Sequence, residues 1–205
     1  MRRFKVSLWF LFLLSLISCS KRPIIVQEFS DSGLLYKEYE IDQDSLKHGL
    51  YLVYHDDGET LFEKSTYDFD LLHGKRTLFY SNGQIEIEEY YNHGLIIDTL
   101  YVYFANGSIQ RKVPYEDGTI EGVLTSYYEV GGVKEHVTFS NNAENGPFVE
   151  YYKNGQIHWS GKYLNGDNEF GELLEFDSLG TLIKKMQCDS NAICSTTWKV
   201  DEDQL

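Results

Sequence analysis

Six histidines are the residues of this 205-residue sequence best suited to binding a metal ion. They stand at positions 48, 55, 73, 93, 136 and 158. His48 and His73 each directly precede a glycine, a placement typical of turn residues rather than of ligands to one shared metal. No His-Glu-x-x-His or Cys-x-x-Cys motif, which would bring ligands together locally, accompanies them. We therefore predict no metal site.

The 32 acidic residues could supply a general acid and a general base. Glu86, Glu88 and Glu89 form one such group. In a sequence with this many carboxylates, however, neighbouring acids are typical of a solvated surface. The chain has neither a Gly-x-Ser-x-Gly nucleophile turn nor a glycine-rich phosphate loop. We predict no catalytic site and no cofactor.

Cys19 follows a segment with the features of an export signal. Three basic residues lie within the first five positions, and residues 6–17 carry no charge. This run is too short for a helix that crosses a bilayer of about 30 Å. The sequence LISC at 16–19 resembles the bacterial lipoprotein signal. The resemblance implies that residues 1–18 are removed and that Cys19 becomes the acylated first residue.

Acylation would anchor the protein to a membrane, because each buried methylene contributes about 0.8 kcal/mol. Ser20 after the cysteine resembles the sorting pattern for the outer membrane, so the bacterial cell envelope is the expected location. An ordinary secretory signal with a coincidental cysteine is the alternative. Removing residues 1–18 removes three basic and no acidic residues, which changes the net charge from -14 to -17. A chain this acidic repels phosphate backbones, so no nucleic-acid partner is predicted.

Cys188 and Cys194 are the other two cysteines. In an exported protein, two cysteines separated by five residues predict a small disulfide loop. The chain-entropy estimate for so short a loop is about 2 kcal/mol of stabilisation. We expect this disulfide, together with Trp198, to cap one end of the fold.

Short turns recur along the chain at intervals of 23 to 25 residues. Each turn includes a glycine, and an aromatic residue stands four positions before it. The glycines are Gly58, Gly83, Gly107, Gly132, Gly155 and Gly180. The aromatic residues are Tyr54, Phe79, Tyr103, Tyr128, Tyr151 and Phe176. Aromatic residues make up 15% of the sequence, so six matches at one offset indicate internal repeats.

Each repeat is predicted to be a β-hairpin. Asp-Gly, Asn-Gly and Gly-Gly between apolar and aromatic runs favour type I′ turns, which need positive φ at both central residues. A second aromatic follows most of these turns, and then a second turn that ends in Gly94, Gly118 or Gly166. Each unit is therefore predicted to consist of a strand, a tight turn, a second strand and a looser turn. Tyrosine, phenylalanine and valine in the flanking runs suit half-buried strands.

The repeats HGKRTLFYSNGQIEIEEYYNHG and NGPFVEYYKNGQIHWSGKYLNG resemble the bacterial variant of the MORN repeat. The resemblance covers residues 48 to about 183 in six units, with a degenerate half unit at 32–41. It implies an all-β fold, an elongated, twisted, single-layer antiparallel sheet of successive hairpins. We accordingly divide the chain into the signal at 1–18, a lipidated linker at 19–31, the repeat domain at 32–183 and a C-terminal cap with an acidic tail at 184–205.

These features predict a membrane-anchored, non-catalytic module that binds a protein partner or acts as a scaffold. Proteins with this repeat are often labelled antitoxins of toxin–antitoxin systems, which implies an antitoxin-like or immunity role as one version. The exposed tyrosines and Trp159 leave a second class open, in which the module binds cell-wall or surface glycans, since aromatic rings stack on flat ligands.

Overall fold

The structure, a computed structural model, describes residues 22–201, and all of their regular elements are β-strands. The predicted signal and Cys19 lie outside the described residues, as do residues 202–205 of the acidic tail. The strands are β1 Ile24–Phe29, β2 Leu35–Ile41, β3 Lys47–Tyr54, β4 Leu61–Asp68, β5 Leu71–Leu72, β6 Gly74–Phe79, β7 Ile85–Asn92, β8 Leu95–Tyr103, β9 Ile109–Glu116, β10 Thr119–Ile120, β11 Gly122–Tyr127, β12 Val133–Ser140, β13 Ala143–Tyr151, β14 Ile157–Tyr163, β15 Gly171–Phe176, β16 Leu182–Cys188 and β17 Cys194–Lys199. Residues 22–201 contain no helix of the length and hydropathy that a membrane span requires.

The 17 strands form one sheet in which every pairing is antiparallel and joins strands that are close in sequence. The two-residue strands β5 and β10 continue their hairpins, so that β4 also pairs with β6 and β9 with β11. The sheet is open, and β1 and β17 are its edge strands among the described residues. The all-β, single-sheet prediction is confirmed.

The turns with the repeat glycines lie along one long side of the sheet, but they are not the predicted type I′ turns. In the second repeat the Gly83 amide donates to the Tyr80 carbonyl (2.9 Å), and the Tyr80 amide donates to the Gln84 carbonyl (2.9 Å). Gly83 has φ 80° and Asn82 is not among the residues with positive φ. This is a three-residue turn whose glycine starts a bulge, and the strand register shifts between Leu78 and Phe79.

The type I′ geometry occurs instead at the turns along the other long side. Asn92 pairs with Leu95, and the two residues between them, His93 and Gly94, have φ 45° and 85°. The prediction therefore exchanged the two turn classes, because either kind accepts Asn-Gly. At this side the turn amide also binds the preceding repeat, as in the bond from the Gly94 amide to the Leu72 carbonyl (2.7 Å).

In the fourth repeat, the predicted turn glycine and the predicted repeat aromatic are each wrong by one residue. The Gly131 amide, not that of Gly132, donates to the Tyr128 carbonyl, as Gly83 does to Tyr80. The turn glycine is therefore Gly131, and the aromatic four positions before it is Tyr127, not Tyr128. Adjacent glycines both tolerate positive φ, and the choice between them is set by the pairing of Ser126 with Glu135 across the hairpin.

The sheet also extends beyond both predicted boundaries of the repeat domain. Residues 24–29, expected within a linker, form β1 and pair with β2 through a turn in which the Gly33 amide donates to the Ser30 carbonyl (2.9 Å). The half unit at 32–41 is thus part of a complete hairpin. At the other end, the boundary at 183 falls inside β16, and the expected cap adds β17 to the sheet.

Face A is the side of the sheet that carries Phe148, Trp159 and Tyr163. Cross-strand pairing places nine of the ten buried side chains of the described residues on this face, and Thr77 on the other, face B. The nine are Val53, Ser65, Glu89, Val113, Ser126, Val137, Phe148, Leu173 and Cys188. A single layer with so few buried side chains has no thick core, so its stability depends strongly on each of them.

Candidate functional site

Aromatic side chains lie opposite glycines on face A. The second aromatic of each repeat pairs across the strands with a glycine in most units, and the pairs are Gly49 with Tyr67, Gly74 with Tyr91, Gly122 with Phe139 and Gly146 with Tyr163. An aromatic ring that covers a glycine compensates for the missing side chain in a strand. In the last unit Cys188 takes the aromatic position, opposite Gly171.

An open hollow of about 330 Å³ lies on face A between β13 and β16. We call it the acidic hollow, and it is lined by Phe148, Glu150, Trp159, Tyr163, Glu169, Leu173, Lys184 and Met186. Phe148 and Leu173 are almost completely buried and form its floor. The Phe148 ring stacks on Tyr163 with 4.4 Å between the ring centroids. Gly161 leaves room for both, because a Cβ there would lie 2.2 Å from Leu173 Cδ2.

Carboxylates surround this aromatic floor without matching cations. Glu135 lies directly opposite Glu150 on face A, and like charges in this arrangement destabilise a sheet. Within residues 22–201, no Lys, Arg or His nitrogen lies within 4.0 Å of the carboxylates of Glu135, Glu144 or Glu169. The Glu150 carboxylate lies 3.7 Å from the ring of His158.

Burial and the negative charge around the hollow raise the pKa values of Tyr163, which lines it, and of Glu144, whose charge acts on Tyr163. Burial, followed by the charges of Glu144 and Glu135, raises the pKa of Tyr163 to about 12. Burial, followed by Asp167 and Glu135, raises the pKa of Glu144. In both cases the surroundings disfavour a further negative charge. The hollow is therefore a place where a positive charge would be stabilised.

One lysine of the chain itself, Lys184, lies against the Trp159 side of the acidic hollow. The Lys184 ammonium lies 5.6 Å from the centroid of the Trp159 ring and 3.7 Å from the Glu175 carboxylate. An ammonium over the face of a tryptophan is attracted by the negative face of the ring. Lys184 balances Glu175 and leaves Glu135, Glu144 and Glu169 without an ion-pair partner among residues 22–201.

A second polar cluster on face A is internally satisfied. Arg76 Nε donates to Glu63 Oε1 (2.9 Å), and Arg76 Nη1 donates to Glu89 Oε2 (2.9 Å). The Tyr91 hydroxyl donates to Glu89 (3.1 Å) and the Ser65 hydroxyl to Glu63 (3.0 Å). Burial opposes the charge of the guanidinium, but its bonds to the two carboxylates outweigh burial and raise the pKa of Arg76. The cluster has no free group for a ligand and is structural.

Tyrosines one position after the repeat aromatics couple successive repeats, and the sequence reasoning missed them. The Tyr80 hydroxyl donates to the Tyr103 carbonyl (2.7 Å), and the Tyr152 hydroxyl donates to the Phe176 carbonyl (2.9 Å). Tyr128 makes the equivalent bond to Tyr151. The signal was present as aromatic doublets before each turn. These tyrosines and the repeat glycines therefore build the turn side of the sheet and lie outside the acidic hollow.

Cys188 and Cys194 form a disulfide in the structure and lie directly opposite each other on β16 and β17. Trp198 does not share in this cap, because it pairs with Lys185 on face B and is 44% exposed. Among residues 22–201, Glu169 and these two cysteines form the one group of three or more His, Cys, Asp or Glu residues whose ligand atoms all lie within 4.8 Å of one another. The two sulfurs are bonded to each other, so this group offers a metal one carboxylate.

His48, predicted as a turn residue, and His93 contact the same carboxylate. His48 Nδ1 lies 3.0 Å from Asp68 Oδ1, and His93 Nε2 lies 3.1 Å from Asp68 Oδ2. The ring of His73 packs against that of His93 with centroids 4.5 Å apart. The two histidines contact separate oxygens of the same carboxylate, but only His93 lies in a type I′ turn. His48 lies in β3 and His73 between β5 and β6, so the prediction that these two are turn residues is wrong.

The comparison with known families matches two of these hairpins. The sequence model of the MORN repeat variant fits residues 72–93 and 99–117. The chain is similar to the MORN repeat variant over these two stretches, which are the second and third units. The other hairpin units share their turn hydrogen bonds, as at Gly58 and Gly155. No curated protein sequence matches the chain.

Proposed function

We propose that this protein is a membrane-anchored, non-catalytic MORN-repeat module of the bacterial cell envelope that binds a protein partner. The observation that carries the proposal is the acidic hollow, a concave group of aromatic and acidic side chains on face A. Aromatic residues in a partly buried pocket are typical centres of protein interfaces. An immunity-like or antitoxin-like role is the version in which the partner is a toxin.

The anchor is supported by the position of the first strand. β1 begins at Ile24, five residues after Cys19. Covalent geometry limits five residues to about 18 Å. An acylated Cys19 would therefore hold the edge of the sheet close to the membrane surface.

Replacing Cys19 with alanine is expected to release the protein from the membrane fraction or leave its signal uncleaved, because the acylated thiol is lost. Fractionation and intact mass measurement of protein from cell envelopes test this. Ser20→Ala is the matched control and should keep the acyl mass. A Cys19→Ala protein that loses its signal and still fractionates unchanged, or a parent protein that carries no acyl mass, would contradict the anchor.

A photoreactive benzoylphenylalanine at Trp159 tests the binding function. We expect illumination of intact cell envelopes to give a covalent protein adduct from position 159. The same residue at Trp198, an exposed tryptophan on face B, is the control and should give far less adduct. The adduct's identity separates a toxin from a scaffold partner.

A glycan adduct at Trp159 would instead support the alternative class, in which Trp159 stacks on sugars of the cell wall or cell surface. Equal adducts at positions 159 and 198, or none at either, would refute the assignment of the hollow as the binding site.

A further inference from the structure

We propose that the acidic hollow binds a lysine or arginine side chain that the protein partner presents; this inference rests on the proposed function and specifies its chemistry. Glu135, Glu144 and Glu169 have no cation within ion-pair distance among residues 22–201. Of these, Glu169 lines the hollow, while Glu135 lies opposite the lining residue Glu150 and Glu144 acts on the lining residue Tyr163. A basic side chain in the hollow would supply the missing charge.

The pairing of Glu135 with Glu150 is the strongest indication of an incoming cation. Two like charges directly opposite on one face cost stability in the free protein. A cation placed between them would turn this repulsion into two attractions. A neutral sugar would leave the repulsion in place, and a phosphate would add to it. The charge arrangement thus selects a cationic occupant over the other ligand classes.

The side chains that line the hollow indicate which kind of cation would fit it. Trp159 already attracts the ammonium of Lys184, which shows that this wall accepts a positive group at 5.6 Å from the ring centroid. Phe148 and Leu173 provide an apolar floor for a methylene chain. Lysine and arginine combine an apolar stem with a charged end and suit such a site. A volume of about 330 Å³ suits one side chain rather than a folded surface.

Binding of capped tetralysine to the full chain in detergent micelles tests the inference, with a tetralysine acetylated on every ε-amine as the uncharged comparison. We expect the acetylated peptide to bind at least about tenfold more weakly in titration calorimetry. The Glu135→Gln/Glu150→Gln variant should lose a similar factor, because it removes the paired carboxylates while keeping their shape.

The matched control is Glu116→Gln/Glu172→Gln, which removes two exposed carboxylates from face B and should change affinity less than about twofold. Denaturant unfolding should show that the Glu135→Gln/Glu150→Gln variant is at least as stable as the parent protein, since its like-charge pair is gone. Equal binding of the acetylated peptide, or equal losses in the two double variants, would overturn the inference. A protein adduct at position 159 alongside such a result would leave the proposed function standing.

Discussion

Replacing Arg76 with alanine is expected to lower the free energy of unfolding by about 3 kcal/mol, the lower end of the range for breaking a buried ion pair. Arg76 is 24% exposed, and the carboxylates of Glu63 and Glu89 that it holds are 12% and 10% exposed. Without the guanidinium, the two carboxylates on the strands that flank β6 would be left unpaired with little water around them. Urea unfolding followed by circular dichroism measures the loss.

The adjacent residue supplies the control for this experiment. Lys75 pairs with Glu88 on face B and its side chain is 45% exposed. Lys75→Ala removes the same charge from the same strand and should cost about 1 kcal/mol. Its partner Glu88 is 16% exposed but keeps the hydrogen bond from the Tyr103 hydroxyl, and only one carboxylate loses its cation. A loss at Lys75 equal to that at Arg76 would show that net charge, and not the buried cluster, determines stability.

The next repeat has apolar residues at the positions of the Arg76 cluster, and copying them into the cluster should restore the stability that Arg76→Ala loses. The positions of Glu63, Arg76 and Glu89 are filled one repeat later by apolar side chains, namely Ile87, Leu100 and Val113. The triple variant Glu63→Ile/Arg76→Leu/Glu89→Val should recover most of the lost stability, since replacing a whole buried ion cluster with apolar residues is often neutral. A triple variant less stable than Arg76→Ala would contradict this account.

The hairpin period was predictable because it depends on local chemistry. Glycine at a positive φ and an aromatic residue in the adjoining strand are properties of short segments, and both recur in the sequence. The same signature extends to Phe29 and Gly33, four residues apart, with Gly33 lying 25 residues before Gly58. Those two residues signalled the first hairpin, whose first strand was instead assigned to the linker.

The turn types and the fourth glycine were not predictable from the same local rules. Asn-Gly fits both a type I′ turn and a three-residue turn with a bulge. The register of the flanking strands decides between them, as at Tyr127, which pairs with Val133 and shifts the register there. Strand register depends on which face is buried, and that is a property of the whole sheet.

The acidic hollow could not be predicted from the sequence for a related reason. Its residues come from four strands and from the segment before β15, and no motif spans them. Trp159 was singled out as a surface aromatic, and Tyr163 as a repeat aromatic, but their proximity to Glu150 and Glu169 follows from the strand pairing. The pairing of Glu135 with Glu150 likewise exists only after the hairpin forms.

Replacing Phe148 with alanine is the second change with a large expected effect, a loss of about 3 kcal/mol in the free energy of unfolding. Phe148 is 4% exposed and packs on Tyr163 in a sheet with few other buried apolar residues. Urea unfolding is again the measurement. Val123→Ala, at an apolar position 51% exposed in β11, is the control and should cost less than about 0.5 kcal/mol.

Gly161 tests whether that loss comes from the packing of the hollow floor. A Cβ at Gly161 would lie 2.8 Å from Phe148 Cε1 and 2.2 Å from Leu173 Cδ2. Gly161→Ala should therefore cost about 1–3 kcal/mol through overpacking. In the Phe148→Ala protein the added methyl gains space on the Phe148 side, so the double variant should lose less than the two single losses combined. Strictly additive losses would show that Gly161 and Phe148 do not share one packed floor.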